Sequence, residues 1–375
     1  MQGLFFVFGN SCYEQADGVA NKIKAQIDVF NRAKLNCKEF VFPNKKDLFY
    51  VFKWRLPFFN VSPKWFYDEI FSDIDYIYMR RPFVINKYMV GLLQEIRRRN
   101  PKIKMLIEIP TYPYDPEYDN YKLCFIPKRT DICNRKKLKD IIDYFVTVTD
   151  DEEIFGVKTI KIKNGISFKN IGVKKFTPEE NGTIHMCAVA HFKGWHGYER
   201  FFVGLADYYK NSGKRNIVCD FVGEGSELPN YKKLVKQLSL EKHINFLGFL
   251  NGEKLLEVYN RASISLGSFG AYKKDITYSC DLKSRESLAR GIPMIVGCKT
   301  EGFVKGEYKY YYEFPNDPTP LDVNKIIEFH DNIYTDEDGQ TVINNIRAYG
   351  ERTIDMSICM KAVIDYLQQD YVVIK

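Results

Sequence analysis

Short apolar segments alternate with longer amphipathic segments along almost the whole chain. The short segments are strand-like, and the longer ones repeat apolar residues at helical spacing. In residues 19–33, for example, Val19, Ile23, Ile27 and Phe30 would share one face of a helix. Alternation of strands and helices is typical of βα units with parallel sheets, so the pattern predicts an α/β fold.

Six strands are predicted in the first half of the chain, at residues 4–8, 39–42, 76–79, 105–109, 145–148 and 159–162. Helices are predicted between them at 19–33, 87–99 and 136–142. In the second half, strands are predicted at 184–190, 217–222, 244–247, 263–266 and 294–296, with helices at 198–210, 231–238 and 254–260. The tail from Leu321 is predicted to be mostly helical.

The stretch 165–182 interrupts this alternation, since it is rich in Gly and Lys and contains Pro178. We interpret it as a linker between an N-terminal Rossmann-like domain at 1–170 and a C-terminal one at 171–350. A last helix is predicted at 351–375, and it could cross back to the first domain. Ligands of open parallel sheets bind at the carboxyl ends of the strands, so we expect both domains to face a central cleft.

The composition agrees with a folded two-domain protein and narrows its partners. A chain of 375 residues exceeds one ordinary core, and 45% hydrophobic with 27% charged residues is usual for folded chains. The net charge of +7 suits anionic small molecules or an anionic membrane surface. This excess is too small and too scattered for nucleic acid, and the sequence contains neither zinc-finger spacing nor an Arg-rich arm.

The cysteine pattern and the apolar runs predict a cytoplasmic location. The nine cysteines include no C-x-x-C pair and mostly fall in strand-like runs, as reduced core cysteines do. The first apolar run is too short for a signal peptide, and no run reaches the ~18 residues of a membrane span. Residues 44–66 mix aromatic and basic side chains and leave peripheral contact with the inner membrane open, although an aromatic core segment is slightly favoured.

The segment DLKSRESLARGIPMIVG, at 281–297, is the most informative candidate site. Lys283 and Glu286 lie three apart at a predicted helix start and therefore share a face. Unpaired N–H groups at a helix start attract anions, so an ammonium there suits a diphosphate and a carboxylate one turn later suits a ribose diol. A sugar-nucleotide enzyme needs this grip on its donor. The alternative is an i,i+3 ion pair on a solvated helix.

Two other loops of the second half are candidates for ligand contact. Gly223 and Gly225 follow a predicted strand, where glycines let backbone N–H groups approach a ligand. A plain βα turn is the alternative. The long loop 266–283 has two Gly and two Lys ahead of Lys283, and long loops in compact α/β domains are often functional.

The segment KGWHGYERF, at 193–201, combines flexible glycines with an imidazole and a guanidinium at a strand-to-helix junction. Such a combination could line a phosphate site, whereas the alternative is a loop anchored by its Trp. The candidate residues are Lys193, Trp195, His196, Gly197 and Arg200.

The second half resembles the nucleotide-binding domain of GT-B glycosyltransferases, specifically the retaining, family 4-like group 1 enzymes that build bacterial capsule, O-antigen and exopolysaccharide chains. Three segments carry the resemblance in matching order and spacing: VGEGSEL, INFLGFLNGEKLLEVYNRASISLGS and LKSRESLARGIPMIVG. Elsewhere, NGI at 164–166, EIPTYPYDPEY at 108–118 and WHGYER at 195–200 are similar to segments of the same group. The resemblance implies a GT-B fold of two Rossmann-like domains with C-terminal helices.

The resemblance implies roles on the donor. Glu286 matches the second Glu of the family's E-x7-E pattern, which binds the ribose hydroxyls. Lys283 and the backbone at Leu282 match the group on the diphosphate. His196 falls where many relatives carry a phosphate-binding Lys. The missing charge could come from Arg200 or Lys193.

The chain departs from the family pattern at Tyr278, which stands where the first Glu of E-x7-E is expected. The contact to the transferred sugar is therefore in doubt. The remaining candidates for that contact are the backbone of Phe269 and Gly270, the side chain of Ser279 and, more weakly, Asp281.

In the first domain, Glu108 ends an apolar strand and should face the cleft, where it could bind a sugar hydroxyl or the acceptor; a capping carboxylate is the alternative. Arg80 and Arg81 hold a similar position, with a surface role equally open. Gly18 would be the close-approach glycine beside the donor. No D-x-D pair has a metal-binding context, because Asp150-Asp151 resembles a helix cap, so no metal or other cofactor is expected.

Together these features favour a retaining glycosyltransferase with a nucleotide-diphosphate sugar as donor and a glycan or lipid-linked acceptor. Glu108, Lys283, Arg200 and His196 are the catalytic candidates. A GT-B sugar-nucleotide epimerase and a non-catalytic carbohydrate- or nucleotide-sugar-binding subunit are the alternatives, and Tyr278 keeps the second of them open.

Overall fold

The chain forms two compact units. One consists of Met1–Gly165 with Met356–Lys375, and the other of Ile166–Asp355. This computed structural model describes residues 1–14, 18–43, 71–120, 125–303 and 308–369. The segment 44–66, for which membrane contact was left open, lies outside the described residues.

The first unit is built on a parallel sheet. Its strands are β1 (Gly3–Gly9), β2 (Cys37–Pro43), β3 (Tyr76–Arg80), β4 (Lys104–Ile109), β5 (Tyr144–Thr147), β6 (Glu153–Ile154) and β7 (Val157–Lys161). They lie in the order β2-β1-β3-β4-β5-β7-β6, and only β6 runs antiparallel. The α-helices between them are α1 (Gly18–Arg32), α2 (Lys87–Arg99) and α3 (Phe125–Arg135).

The sheet of the first unit is buried on both faces because its strands are apolar at successive positions. Leu4 and Phe6 of β1 pack into one core, whereas Phe5 and Val7 pack into the other. Side chains alternate between the two faces of a strand, so a continuous apolar run is what a doubly covered parallel strand requires.

The second unit repeats this architecture. Its strands are β8 (Ile184–Val189), β9 (Ile217–Val222), β10 (Ile244–Gly248), β11 (Ile264–Leu266), β12 (Tyr278–Ser279), β13 (Met294–Val296), β14 (Lys299–Thr300) and β15 (Tyr311–Glu313). The main sheet has the order β10-β9-β8-β11-β13-β15 and is parallel throughout, while β12 pairs only with β14. Its helices are α4 (Glu199–Lys210), α5 (Leu228–Gln237), α6 (Gly252–Arg261), α7 (Leu282–Arg290), α8 (Val323–Asp336) and α9 (Gly339–Thr353).

The chain returns to the first unit at its end. Helices α10 (Met356–Cys359) and α11 (Lys361–Gln368) belong to that unit. Met360, Val363 and Leu367 pack into the same core as Phe5 and Val7. The prediction of an α/β fold with two Rossmann-like domains is confirmed.

Two local predictions are wrong. The helix predicted at 136–142 is a 3-10 turn at Lys136–Asp140 that continues the unpredicted helix α3. No helix follows Asp150 and Asp151, which precede the short strand β6 instead.

The predicted linker at 165–182 lies almost wholly within the second unit, where the backbone N–H of Lys174 donates to Arg290 at 2.9 Å. Within the described part of the chain, no helix is both long and apolar enough to cross a membrane.

Candidate functional site

The start of α7 is held in place by its own sequence. Asp281 is the N-cap residue, and its carboxylate accepts a hydrogen bond from the N–H of Ser284 at 3.0 Å. The hydroxyl of Ser279 donates to the same carboxylate at 2.9 Å. A cap satisfies one of the four unpaired N–H groups of a helix start, so the first two residues of α7, Leu282 and Lys283, keep their N–H groups for a ligand.

The side chain of Lys283 crosses from α7 to the carboxyl end of β11. Its ammonium donates a hydrogen bond to the hydroxyl of Ser268 at 2.7 Å. Burial lowers the pKa of Lys283, and the carboxylate of Asp281 opposes this shift. The structure thus places a cation at the edge of the sheet where parallel α/β folds bind ligands.

Glu286 lies one turn further along α7, on the same face as Lys283. It is half-buried, and its carboxylate accepts a hydrogen bond from the hydroxyl of Tyr259 at 3.2 Å. Tyr259 comes from α6, and burial raises its pKa. Because Tyr259 stays protonated, it is a permanent donor that orients Glu286.

His196 is a neutral side chain in this site. Burial lowers its pKa to about 3, and the ammonium of Lys283 adds to the shift. Its Nδ1 accepts a hydrogen bond from the N–H of Lys193 at 3.1 Å, which places the proton of the neutral ring on Nε2. His196 therefore offers a neutral N–H donor and supplies no positive charge.

The loop after β8 touches the loop after β11. Gly197 has φ 67°, and a Cβ there would lie 2.4 Å from the backbone nitrogen of Gly270. The N–H of Phe269 donates to the carbonyl of His196 at 2.7 Å. Only glycine allows this approach, so Gly197 and Gly270 bring the two loops to the same place.

Two lysines of the loop after β11 contact the loop after β8. Lys273 donates to the carbonyl of Gly194 at 2.8 Å and pairs with Glu199 at 2.5 Å. The ammonium of Lys274 lies 3.5 Å from the ring centroid of Trp195, whose side chain remains 42% exposed. Trp195 therefore forms a cation–π pair at the rim of the site.

The need for glycine at positions 223 and 225 is explained by close contacts with the protein's own backbone. A Cβ at Gly223 would lie 2.0 Å from the carbonyl oxygen of Ala190, and one at Gly225 would lie 2.1 Å from that of Phe192. Both glycines let the loop after β8 pass close to the end of β9. Lys193, on that loop, reaches only to 3.5 Å from the hydroxyl of Ser226.

Arg200 is not available to a donor phosphate. It is 2% exposed, and its guanidinium donates to three carbonyl oxygens. These belong to Thr319 at 2.6 Å, Phe269 at 2.7 Å and Pro315 at 2.9 Å. The predicted catalytic role is corrected by this geometry, since Arg200 instead holds the loop after β11 against α4.

Glu108 is likewise buried and fully engaged. Its carboxylate accepts hydrogen bonds from Lys22 at 2.8 Å, Gln26 at 2.7 Å and Tyr78 at 2.7 Å. Burial alone would raise its pKa, but the charge of Lys22 and the hydrogen bonds from Lys22 and Gln26 lower the pKa of Glu108 to about 2. It is 0% exposed, so the predicted contact with a sugar hydroxyl or an acceptor is corrected to a structural role.

The other candidates of the first unit differ in how their side chains are engaged. Arg81 is held by Glu117 at 2.5 Å and lies over the ring of Tyr114, 3.8 Å from its centroid. Arg80 lies opposite Glu108 in the strand register, and its charge helps to lower the pKa of Glu108. Its side chain has no hydrogen bond or ion pair with any described residue. Gly18 is exposed at the first position of α1.

The remaining candidates lie close to the start of α7. Tyr278 and Ser279 form β12, with Tyr278 50% exposed and Lys299 of β14 6.0 Å from its ring centroid. Leu282 is the first residue of α7 and is 40% exposed. Phe269 is buried, so it can offer a ligand only its backbone.

Sequence reasoning missed Ser268, Tyr259 and Lys274. Ser268 is the second residue after β11, and a hydroxyl just beyond the carboxyl end of a parallel strand was a signal that could have been used. The other two carry no local signal, because their roles depend on contacts with Glu286 and Trp195. Among the described residues, no group of three or more His, Cys, Asp or Glu side chains could hold a metal ion.

Comparison with known families identifies part of the second unit. Residues 173–268 match the model of the family described as Glycosyl transferases group 1. This match covers about a quarter of the chain. No curated protein matches the sequence.

Several solved structures share the fold over nearly the full length. A glycosyltransferase from Rickettsia africae has a TM-score of 0.59 at 14% identity, with 98% of each chain covered. Sucrose-phosphate synthase from Thermosynechococcus elongatus has a TM-score of 0.61 at 14% identity, covering 100% of this chain and 99% of that one. Anabaena Alr3699/HepE in complex with UDP has a TM-score of 0.58 at 12% identity, covering 100% of this chain and 99% of that one. The fold is GT-B, as predicted.

Proposed function

We propose that this protein is a retaining glycosyltransferase. It would move a hexose-type sugar from a nucleotide-diphosphate donor to a hydroxyl of a glycan or lipid-linked acceptor, in the synthesis of a bacterial surface polysaccharide. The family match at 173–268 supports sugar transfer. A fold shared with HepE, which was solved with UDP and with UDP-glucose, is consistent with a nucleotide-sugar donor.

One observation carries the proposal: Lys283 and Glu286 share one face at the start of α7, and each is held by a neutral hydroxyl. An ammonium held by the hydroxyl of Ser268 keeps its charge available for a diphosphate. A carboxylate held by the phenol of Tyr259 keeps one oxygen available for a ribose diol. Neither charge is consumed by an ion pair with the other, as a solvated i,i+3 pair would be.

The chemistry assigned to these groups is stabilisation of the leaving diphosphate. In the transfer, the bond between the anomeric carbon and the diphosphate oxygen breaks, and the acceptor oxygen bonds to the anomeric carbon on the same face. The acceptor proton passes to the departing diphosphate. Lys283, the first N–H groups of α7 and the neutral Nε2–H of His196 would stabilise the charge that develops there.

Transfer without a metal ion is part of the proposal, since fixed donors at the start of α7 take the place of a cation. Activity is expected to survive EDTA. Complete loss with EDTA and recovery with Mn²⁺ would point to a different mechanism.

The sugar contact is proposed to run through Ser279 and the backbone at Phe269 and Gly270, because Tyr278 replaces the family's carboxylate. Asp281 is a weaker candidate, since its carboxylate already caps α7 and accepts from Ser279.

The test combines a thermal-shift screen of nucleotide sugars with a transfer assay on the full chain. A donor that binds the folded state raises its melting temperature, and we expect one class of nucleotide sugar to do so and to be consumed when acceptor is added. An epimerised product from donor alone would establish the epimerase instead. Donor binding without turnover across a set of acceptors would favour the binding subunit, and no shift with any nucleotide sugar would overturn the proposal.

A further inference from the structure

Helix α3 of the first unit buries polar side chains, whereas the buried face of an amphipathic helix is usually apolar. The residues it buries are mostly polar: Pro127, Thr130, Asp131, Asn134 and Arg135. The carboxylate of Asp131 accepts from the N–H of Ile85 at 2.8 Å and from the hydroxyl of Tyr114 at 2.9 Å. Arg135 in turn pairs with Asp115 at 2.5 Å. The inner face of α3 is therefore held by hydrogen bonds and ion pairs.

The outer face of α3 carries apolar and basic side chains. Phe125 is 62% exposed, Arg129 is exposed and Ile132 is half-buried. Lys136 is exposed in the 3-10 turn that continues the helix. The spacing of four, three and four residues aligns these four side chains along one stripe. We call this stripe (Phe125, Arg129, Ile132 and Lys136) the α3 face.

The positive charge of the α3 face is not neutralised locally. Arg129, Lys136 and the nearby Lys139 have neither a hydrogen bond nor an ion pair with any residue that the structure describes. Among the described residues, the ammonium of Lys137 has one hydrogen-bond partner, the side-chain oxygen of Asn134 at 3.3 Å. Asp140 is the one exposed acid in the stretch 125–140. A basic cluster with an exposed aromatic residue is a recognised signature of an interaction surface.

We propose that the α3 face binds the surface of an anionic lipid bilayer. Phe125 would enter the boundary between headgroups and acyl chains, with Ile132 beside it, while the basic side chains contact lipid phosphates. The described helix is about 16 Å long, so it can lie flat on a membrane. Nucleic acid would engage the cations but would leave the aliphatic Ile132 without a partner.

This surface is independent of the proposed transfer reaction. None of its residues belongs to the second unit, which contains the candidate donor site. Loss of membrane binding and loss of donor binding can therefore be measured separately on the same variants.

The experiment is co-sedimentation of the full chain with vesicles of phosphatidylcholine alone or with added phosphatidylglycerol. The first variant is Arg129→Glu with Lys136→Glu. Its control is Lys233→Glu with Lys236→Glu on the exposed surface of α5, which changes the net charge by the same amount. A third variant, Phe125→Ser, removes only the apolar contact. Circular dichroism and the melting temperature check that each variant is folded.

The wild type should bind only the anionic vesicles, and binding should weaken as salt rises. Each basic residue near such a surface contributes about 1 kcal/mol, so the α3 double variant should lose at least about tenfold in partition coefficient while the α5 control binds as the wild type does. Phe125→Ser should bind more weakly but keep the salt dependence.

Several outcomes would overturn the proposal. Equal binding by both double variants, or no binding by the wild type, would show that the α3 face does not bind lipid. Competition by single-stranded RNA at lower concentration than vesicles would identify a nucleic-acid surface. Self-association that is lost only in the α3 double variant would identify an interface between copies of the chain.

Discussion

The ammonium of Lys283 lies 2.7 Å from the hydroxyl of Ser268 and joins the first turn of α7 to the end of β11. This hydrogen bond fixes where the positive charge is presented, because a lysine side chain is otherwise flexible. The hydrogen-bond partner is neutral, and the carboxylate of Asp281 favours the charged form of Lys283 against burial. Lys283 is thus a cation positioned by the fold.

Replacement of Lys283 by Ala should lower donor turnover at least about tenfold, because a charge-assisted contact to the leaving diphosphate is lost. Ser268→Ala should have a smaller effect, mainly on KM for the donor, because the cation remains but is less well positioned. Steady-state kinetics with a fixed acceptor measure both, and Lys233→Ala is the control. Turnover within about twofold of wild type for Lys283→Ala would contradict the assigned role.

Glu286→Ala should also lower turnover at least about tenfold, and it should abolish discrimination between ribose and 2′-deoxyribose donors if the carboxylate binds the diol. Tyr259→Phe removes only the hydroxyl that holds Glu286, so donor KM should rise by a few-fold with little change in kcat. The kinetic comparison of the two nucleotide series is the measurement. Unchanged discrimination in Glu286→Ala would rule out ribose recognition by this residue.

His196 should make the protein less stable in acid. Its pKa is about 3 in the folded protein, against an ordinary value of 6.5. Between these values the unfolded chain binds a proton that the folded chain does not, so stability is fully present above about pH 6.5 and falls as pH decreases toward 3. The slope contributed by one such group is at most about 1.4 kcal/mol per pH unit.

The matched variant for this test is His196→Gln, whose side-chain oxygen can still accept from the N–H of Lys193 but does not titrate. Urea unfolding of both proteins at a series of pH values should show a shallower acid decline for the variant. Parallel curves would mean that His196 titrates normally in the folded state.

Arg200→Ala should destabilise the fold by on the order of 3 kcal/mol, because three carbonyl oxygens lose their donor and one of them, that of Phe269, is buried. Arg200→Lys should recover only part of this loss, since an ammonium cannot match the planar fork that reaches all three. Urea unfolding gives the stability of each variant. A fully stable Arg200→Ala protein that no longer binds donor would instead restore the predicted phosphate contact.

Much of the secondary structure could be predicted because its signals are local. Helix Lys87–Arg99 and the strands Ile217–Val222 and Met294–Val296 match the predicted bounds. Asn86 caps the first of these, with its side chain accepting from the N–H groups of Tyr88 and Met89. Such signals lie within a few residues of the element they define.

Helix α3 was missed for a physical reason. Periodicity finds a helix by its apolar stripe, on the assumption that this stripe is the buried one. In α3 the buried side chains include Asp131 and Arg135, whereas Phe125 is exposed. A polar network that crosses between elements leaves no such stripe in the sequence.

The part of the candidate site that could be predicted lies at the start of a single helix, α7. The shared face of Lys283 and Glu286 follows from their spacing along α7. The catalytic roles predicted for Glu108 and Arg200 do not fit the charge and access that the structure gives these two side chains. Burial and distant partners decide those properties, as Lys22 does for Glu108 from 86 residues away and Thr319 does for Arg200 from 119.

By itself, the sequence determined the alternation of strands and helices, the α/β class and the shared face of Lys283 and Glu286, because periodicity and helix geometry are properties of neighbouring residues. Only the tertiary structure decided which charged groups are free. His196 is neutral, the guanidinium of Arg200 donates to three carbonyl oxygens, and the basic side chains of the α3 face are exposed. These properties depend on solvation and hydrogen bonding, which are set by residues that the chain brings together from far apart.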